Sequence, residues 1–148
     1  MTDLLATLTT TVGAAHVLTG AAISDDYSHD EALTVSPVMP AYVARPGTTA
    51  EVAALVAASI EFRVPITARG SGTGLSGACR PNSDSLVVSF ERMNAILEID
   101  TENYVAVVQP GVSLDQLDTA LAPLGLVYPV CPGAVSYTHL TLPTKRIV

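Results

Sequence analysis

The stretch RGSGTGLSGA, residues 69–78, is the most informative part of this chain. Its glycines stand at positions 70, 72, 74 and 77, and residues 72–77 match the pattern G-x-G-x-x-G. Because glycine lacks a Cβ, such a run lets the backbone turn several N–H groups toward one anionic point, and a diphosphate suits that arrangement. Ser71, Thr73 and Ser76 add hydroxyl groups, and Arg69 adds a positive charge. Taken alone the pattern is weak, since a series of tight turns would explain the same glycines.

The sequence after the glycines narrows the kind of phosphate site. A Rossmann dinucleotide site needs a helix directly after the loop, but residues 79–84 read CRPNSD, which disfavours a helix. A P-loop needs Lys followed by Ser or Thr, and the single lysine of the chain is Lys145. The sequence therefore predicts a loop between two strands that would neutralise a diphosphate with amides and hydroxyls.

Elements on both sides of the loop predict an α+β fold, a small mixed sheet with helices on one side. Upstream, a capping box from Thr48 to Glu51 opens a helix that ends near Phe62. Its apolar positions form one broad buried face, made of Val52, Leu55, Val56, Ile60 and Phe62. A second capping box, Ser113 to Gln116, opens a helix before Gly125. The remaining predicted elements are a helix over 3–12, a polar, proline-broken surface segment over 24–40, and strands over 41–45, 66–68, 86–90, 95–99 and 104–109.

Composition excludes several classes of function. The formal net charge is −7 and no run of Lys and Arg exists, so we expect no nucleic-acid partner. The longest uncharged stretch, 119–144, contains four prolines, and the N-terminus lacks the positive region of a secretory signal. We therefore expect no transmembrane segment and a cytoplasmic chain. Cys79, Cys131 and the three histidines are too far apart to indicate a metal site or a redox pair.

Further motifs occur in a fixed order around the loop, and together they resemble one family. They are Pro46-Gly47-Thr48, Val64-Pro65-Ile66 leading into RGSGTGLSGA, Leu86 to Ser89 followed by Met93-Asn94, Val108 to Val112, and Leu126 to Gly133. Over residues 3 to about 134 the chain resembles the N-terminal FAD-binding region of the vanillyl-alcohol oxidase (PCMH) type. Within that type, it is similar to the branch that contains glycolate oxidase and D-lactate dehydrogenase.

The resemblance implies FAD as cofactor and assigns residues to it. The glycine loop would hold the pyrophosphate. The segment Pro110 to Val112 would lie beside the adenosine or ribityl part, and Pro132-Gly133 would lead toward the flavin. Thr73 stands where covalently linked relatives carry His, which implies non-covalent FAD. Simple turn chemistry would also explain the two Pro-Gly pairs. The implied cofactor-binding residues are Arg69, Gly70, Ser71, Gly72, Thr73, Gly74, Ser76, Gly77 and Ala78, then Pro110, Gly111 and Val112, and then Pro132 and Gly133.

We divide the chain into an N-terminal helix and surface segment (1–40), the first part of an FAD-binding PCMH-type domain (41–134), and a non-native tail (135–148). Residues 135–144, VSYTHLTLPT, resemble the in-frame translation of a transposase adapter, and a genuine tail is the alternative. On this interpretation the chain is truncated before the second lobe of the domain.

The full-length enzyme would pass electrons from a 2-hydroxy acid to an acceptor, whereas this chain, lacking catalytic residues, would be inactive. The alternative function is a non-catalytic nucleotide- or phosphate-binding module.

Overall fold

A computed structural model of the protein describes residues 3–129, and its centre is a four-stranded mixed sheet. The strands lie in the order β1-β2-β4-β3, with β2, β4 and β3 parallel and β1 antiparallel to β2. All four residues of β4 are buried, as expected for a central strand of branched aliphatic residues. The bounds are β1 Val17–Thr19, β2 Tyr42–Ala44, β3 Ile66–Arg69 and β4 Leu86–Ser89. The predicted α+β fold is confirmed, and β1 is a strand that was not predicted from the sequence.

Two helices cover one face of this sheet, as predicted. Helix α1 spans Leu4–Val12 and α2 spans Thr49–Phe62, and their buried side chains form one core with Ala44, Leu86 and Val88. The opposite face carries a smaller cluster in which Ile23 packs with Val43 and Val87. This second cluster places the chain that precedes β2 against the sheet.

Helix α2 begins where its cap predicts, but its buried face is narrower than expected. The Thr48 hydroxyl accepts the Glu51 amide at 3.2 Å, which satisfies one free N–H of the first turn. Leu55 and Ala58 are buried, whereas Val56 is 42% and Ile60 73% exposed. The prediction that Val56 and Ile60 are buried is therefore wrong. The helix contacts α1 and the sheet through one stripe, and at 3.6 residues per turn Ile60 points away from it.

The strands predicted after β4 form a separate sheet. Strand β5, Ile96–Asp100, and strand β6, Val105–Val108, pair antiparallel with each other, and helix α3, Leu114–Leu121, packs on them. The Asp100 carboxylate accepts the amides of Glu102 and Asn103 and so closes the turn of the hairpin. These hydrogen bonds hold the pKa of Asp100 below its ordinary value, with the Asn103 side chain as the largest cause. Helix α3 has the complete capping box predicted at Ser113 and Gln116.

The segment before β2, predicted to run over the surface, is partly buried. Two turns of 3₁₀ helix, Gly20–Ala22 and Asp25–Ser28, lead into an irregular stretch. Ser28, which ends the second turn, and Asp30 are buried, whereas Leu33 is fully exposed. Within residues 3–129, no helix combines the length and apolar character needed to cross a membrane.

The buried stripe of α2 leads to a first prediction. Leu55→Ala should lower the free energy of unfolding by about 2–5 kcal/mol, because it opens a cavity in the core. Ile60→Ala is the matched control on the exposed side of the same helix and should change it by no more than about 0.5 kcal/mol. Urea denaturation followed by circular dichroism measures both values. Equal losses in the two variants would contradict the observed orientation of the helix.

Candidate functional site

The predicted glycine loop lies at the carboxyl edge of the parallel strands, an edge where ligands commonly bind in open sheets of this kind. It leaves β3 after Arg69, and the connection over residues 70–85 contains no helix before β4 begins. This connection agrees with the prediction from the sequence and differs from a Rossmann crossover. An anion at this loop would therefore meet the loop's own amides and hydroxyls and not the N-terminus of a helix.

Two glycines of the loop hold conformations that other residues adopt rarely. Gly72 has φ +74° and Gly77 has φ +77°. A Cβ at Gly72 would also overlap the guanidinium of Arg69, and one at Gly77 would lie 2.9 Å from Cγ2 of Val35. Gly72 and Gly77 thus serve both the turn of the backbone and the close approach of neighbouring side chains.

Arg69 is buried between the loop and the N-terminal segment. Its Nη1 donates to the carbonyl of His29 at 2.7 Å, and its Cζ lies 5.6 Å from the centre of the Tyr27 ring. A guanidinium over an aromatic face gains electrostatic attraction from the ring. The position therefore holds a positive charge beside Gly72 without exposing it to solvent.

A cleft of about 420 Å³ opens beside Arg69. Predicted site residues form part of its wall, and residues of the N-terminal segment and of the end of β4 form the rest. The lining residues are Ser24, Asp26, Tyr27, His29 and Glu31, then Arg69, Gly70, Ser71 and Gly72, then Ser89 and Glu91. The first five were not predicted from the sequence, because their polar character was taken as the mark of a surface segment. Tyr27, an aromatic residue among acids, was the one signal of a contact there.

A second cleft, of about 150 Å³, joins two of the predicted segments. Gly70 and Ser71 line it together with residues 110–113, which include Pro110, Gly111 and Val112. The Gly111 amide donates to the Met93 carbonyl at 2.8 Å, and a Cβ at Gly111 would overlap the Phe90 carbonyl. Only glycine permits this close approach of two turns.

The other predicted residues lie elsewhere. Thr73, Gly74, Ser76, Gly77 and Ala78 line neither cleft and continue the loop toward β4. Pro132 and Gly133 lie outside the described residues.

Glu91 stands between the two clefts, and its charge is balanced. Its Oε1 lies 3.1 Å from Nη1 of Arg45, and its Oε2 accepts the Tyr27 hydroxyl at 3.1 Å. Burial, followed by the negative charge of Glu91, raises the pKa of Tyr27. The phenol therefore stays protonated near neutral pH and acts as a hydrogen-bond donor.

The loop has unused hydrogen-bonding capacity that suits an anionic group. The Oγ1 atom of Thr73 is buried and has no hydrogen-bond partner among the described residues, a situation that normally costs stability. A phosphate oxygen next to this hydroxyl would accept a hydrogen bond from it. Cys79, at the far end of the loop, is half-buried, and burial raises the pKa of its thiol. The residues present fit a diphosphate-bearing cofactor held by neutral donors.

Comparison with known proteins identifies the family. Residues 40–141 match the family model described as FAD binding domain. An uncharacterized FAD-linked oxidoreductase of Mycobacterium tuberculosis is 56% identical over 136 residues, which are 92% of this chain and 30% of that protein. Glycolate oxidase subunit GlcD of Bacillus subtilis is 43% identical over 114 residues, covering 77% of this chain and 24% of the relative.

Two further proteins extend the similarity. D-lactate dehydrogenase of Anaerostipes hadrus is 37% identical over 117 residues, with 79% of this chain and 25% of the relative covered. The solved structure of 4-ethylphenol oxidase from Gulosibacter chungangensis superimposes with a TM-score of 0.72 at 26% identity, over 82% of this chain and 24% of that one. The chain thus spans 30% or less of the length of each of these proteins.

The family match covers more than half of the chain, and the superposition extends beyond its N-terminal limit. Both findings agree with a helix-free glycine loop at the carboxyl edge of a mixed sheet. The resemblance to the FAD-binding region of PCMH-type enzymes is confirmed, and the chain belongs to the FAD-binding domain family of FAD-linked oxidoreductases.

Proposed function

We propose that this chain binds the diphosphate of FAD, without a covalent bond, in the glycine loop, as part of an oxidoreductase of 2-hydroxy acids. The observation that carries the proposal is the buried hydroxyl of Thr73, which has no hydrogen-bond partner within residues 3–129, in a loop where Gly72 and Gly77 leave no room for a side chain. A buried donor without a partner persists where a ligand uses it, because its desolvation is otherwise uncompensated.

The two clefts suggest how the cofactor lies. Gly70 and Ser71 border both clefts, so a diphosphate there would place the rest of FAD along one cleft on each side. The turn at Pro110 to Val112 would contact the cofactor from the opposite side. Arg69 would contribute its charge from beneath Gly72, since its guanidinium is already held by His29 and Tyr27.

The substrate class rests on relatives named as a glycolate oxidase component and as D-lactate dehydrogenase. Bound FAD supplies a flavin that accepts two electrons from the carbinol carbon of such a substrate. The described residues orient the diphosphate end of that cofactor, and we assign none of them a catalytic role. The electron acceptor and a cytoplasmic location stay predictions from the sequence.

Gly72→Ala tests the loop directly. The substitution should weaken FAD binding at least about tenfold, equivalent to about 1.4 kcal/mol, because the new Cβ displaces the Arg69 guanidinium. Gly125→Ala is the control, since Gly125 also has positive φ, at +68°, but has nothing within 4 Å of a Cβ. Titration of FAD into each purified chain, followed by flavin fluorescence, gives the dissociation constants. Equal affinities of wild type and Gly72→Ala would refute the assignment.

Thr73→Val should weaken FAD binding without destabilising the apoprotein. It removes one hydrogen bond to the cofactor, worth about 0.5–1.5 kcal/mol, so the FAD dissociation constant should rise roughly 3- to 10-fold. The free energy of unfolding of the apoprotein should not fall, because a buried unpaired hydroxyl is lost. The control Thr119→Val removes an exposed hydroxyl that donates to the backbone carbonyl of Asp115 at 2.7 Å, and FAD affinity should stay unchanged. A stability loss without a change in affinity would assign Thr73 a purely structural role.

The substrate class is tested on the product of the complete reading frame. Under anaerobic conditions glycolate or D-lactate should bleach the absorbance of its bound flavin, since the flavin takes up the two electrons of the alcohol. The 148-residue chain mixed with FAD is the control and should reduce no dye with either acid. Flavin that stays oxidised with glycolate, D-lactate and D-2-hydroxyglutarate would remove 2-hydroxy acids from the proposal.

A further inference from the structure

The irregular segment over residues 29–36, which we term the strap, runs along the glycine loop from one end to the other. The His29 carbonyl accepts the Arg69 side chain, and the Glu31 amide donates to the Gly74 carbonyl at 2.8 Å. Further along, the Ser36 carbonyl accepts Nε of Arg80 at 3.0 Å. The strap therefore meets the start, the middle and the end of the loop.

Asp30 is the buried link between strap and loop. The residue is 6% exposed, and its Oδ2 accepts the backbone N–H of Cys79 at 3.3 Å. Its Oδ1 accepts the amide of Ala32 at 3.1 Å, which fixes the turn of the strap itself. A buried carboxylate is tolerated only where such donors surround it, so the geometry of both chain segments is specified together.

The loop has little other support. Residues 70–85 contain neither helix nor strand, so their conformation depends on contacts from outside. Val35 of the strap contacts the position where Gly77 lacks a side chain, and this contact leaves the loop little room to shift. The strap also lies before residue 40, where the match to the family model begins.

We propose that the strap is the positioning element of the cofactor site and that Asp30 is its positioning residue. Asp30 lines neither cleft; it holds the carboxyl-terminal half of the loop so that the amides at residues 70–74 face the diphosphate. The proposal rests on the proposed function for its ligand, but the mechanical coupling of strap and loop can be measured without any ligand.

The test compares Asp30→Asn with Asp84→Asn in the 148-residue chain. Both remove one negative charge, but Asp84 lies exposed in the turn before β4 and far along the chain from the strap. Asp30→Asn should accelerate amide hydrogen exchange across residues 70–80 at least about tenfold while exchange in α1 and β4 stays unchanged. The FAD dissociation constant should rise by a similar factor. Asp84→Asn should leave both measurements at the wild-type values.

A second variant covers the case in which Asp30→Asn does not fold. Arg80→Met keeps the aliphatic stem and removes the guanidinium that donates to the Ser36 carbonyl, so the fold should survive while exchange in residues 76–80 rises. Wild-type exchange in the loop for every folded variant would overturn the proposal. If the wild-type chain shows no FAD binding, the proposed function fails, and the exchange data still decide whether the strap holds the loop.

Discussion

The buried guanidinium of Arg69 is the interaction on which the site depends. It ends β3, fills the space left by the missing side chain of Gly72, donates to the His29 carbonyl and lies over the Tyr27 ring. A single cation thus joins the sheet, the glycine loop and the N-terminal segment. Without it these three segments would lose a contact that they all share. Lysine could not replace it, because a compact ammonium lacks the planar fork that makes several directed contacts at once.

Electrostatics explain why an acidic protein can hold an anionic cofactor. The chain carries a formal net charge of −7, and Asp26, Glu31 and Glu91 line the larger cleft. Glu91 is balanced by Arg45, and the loop itself offers backbone amides and hydroxyls. Oriented amides stabilise an anion through fixed partial charges, so a diphosphate needs no surplus of basic residues.

Much of the fold was predictable because it depends on interactions between residues that are close in the sequence. The caps at Thr48 and Ser113, the strand before the glycines and the absence of a helix after them all follow from residues within a few positions of one another. Strand β1 and the burial of Asp30 depend on contacts between distant residues and were not predicted, and the sequence did not indicate that β5 and β6 form a sheet of their own. For Asp30 the partner amide belongs to Cys79, and no periodic pattern in one sequence connects those positions.

The order of the strands in space differs from their order along the chain. Strand β4 comes after β3 but lies between β2 and β3, and within residues 3–129 the only strand that pairs with β3 is β4. During synthesis, β2 and β3 are therefore both made before β4, the strand that lies between them in the sheet. The parallel sheet is complete only when residues 86–89 lie between β2 and β3. The glycine loop connects β3 to β4, so both of its ends are fixed only once β4 has paired with β3.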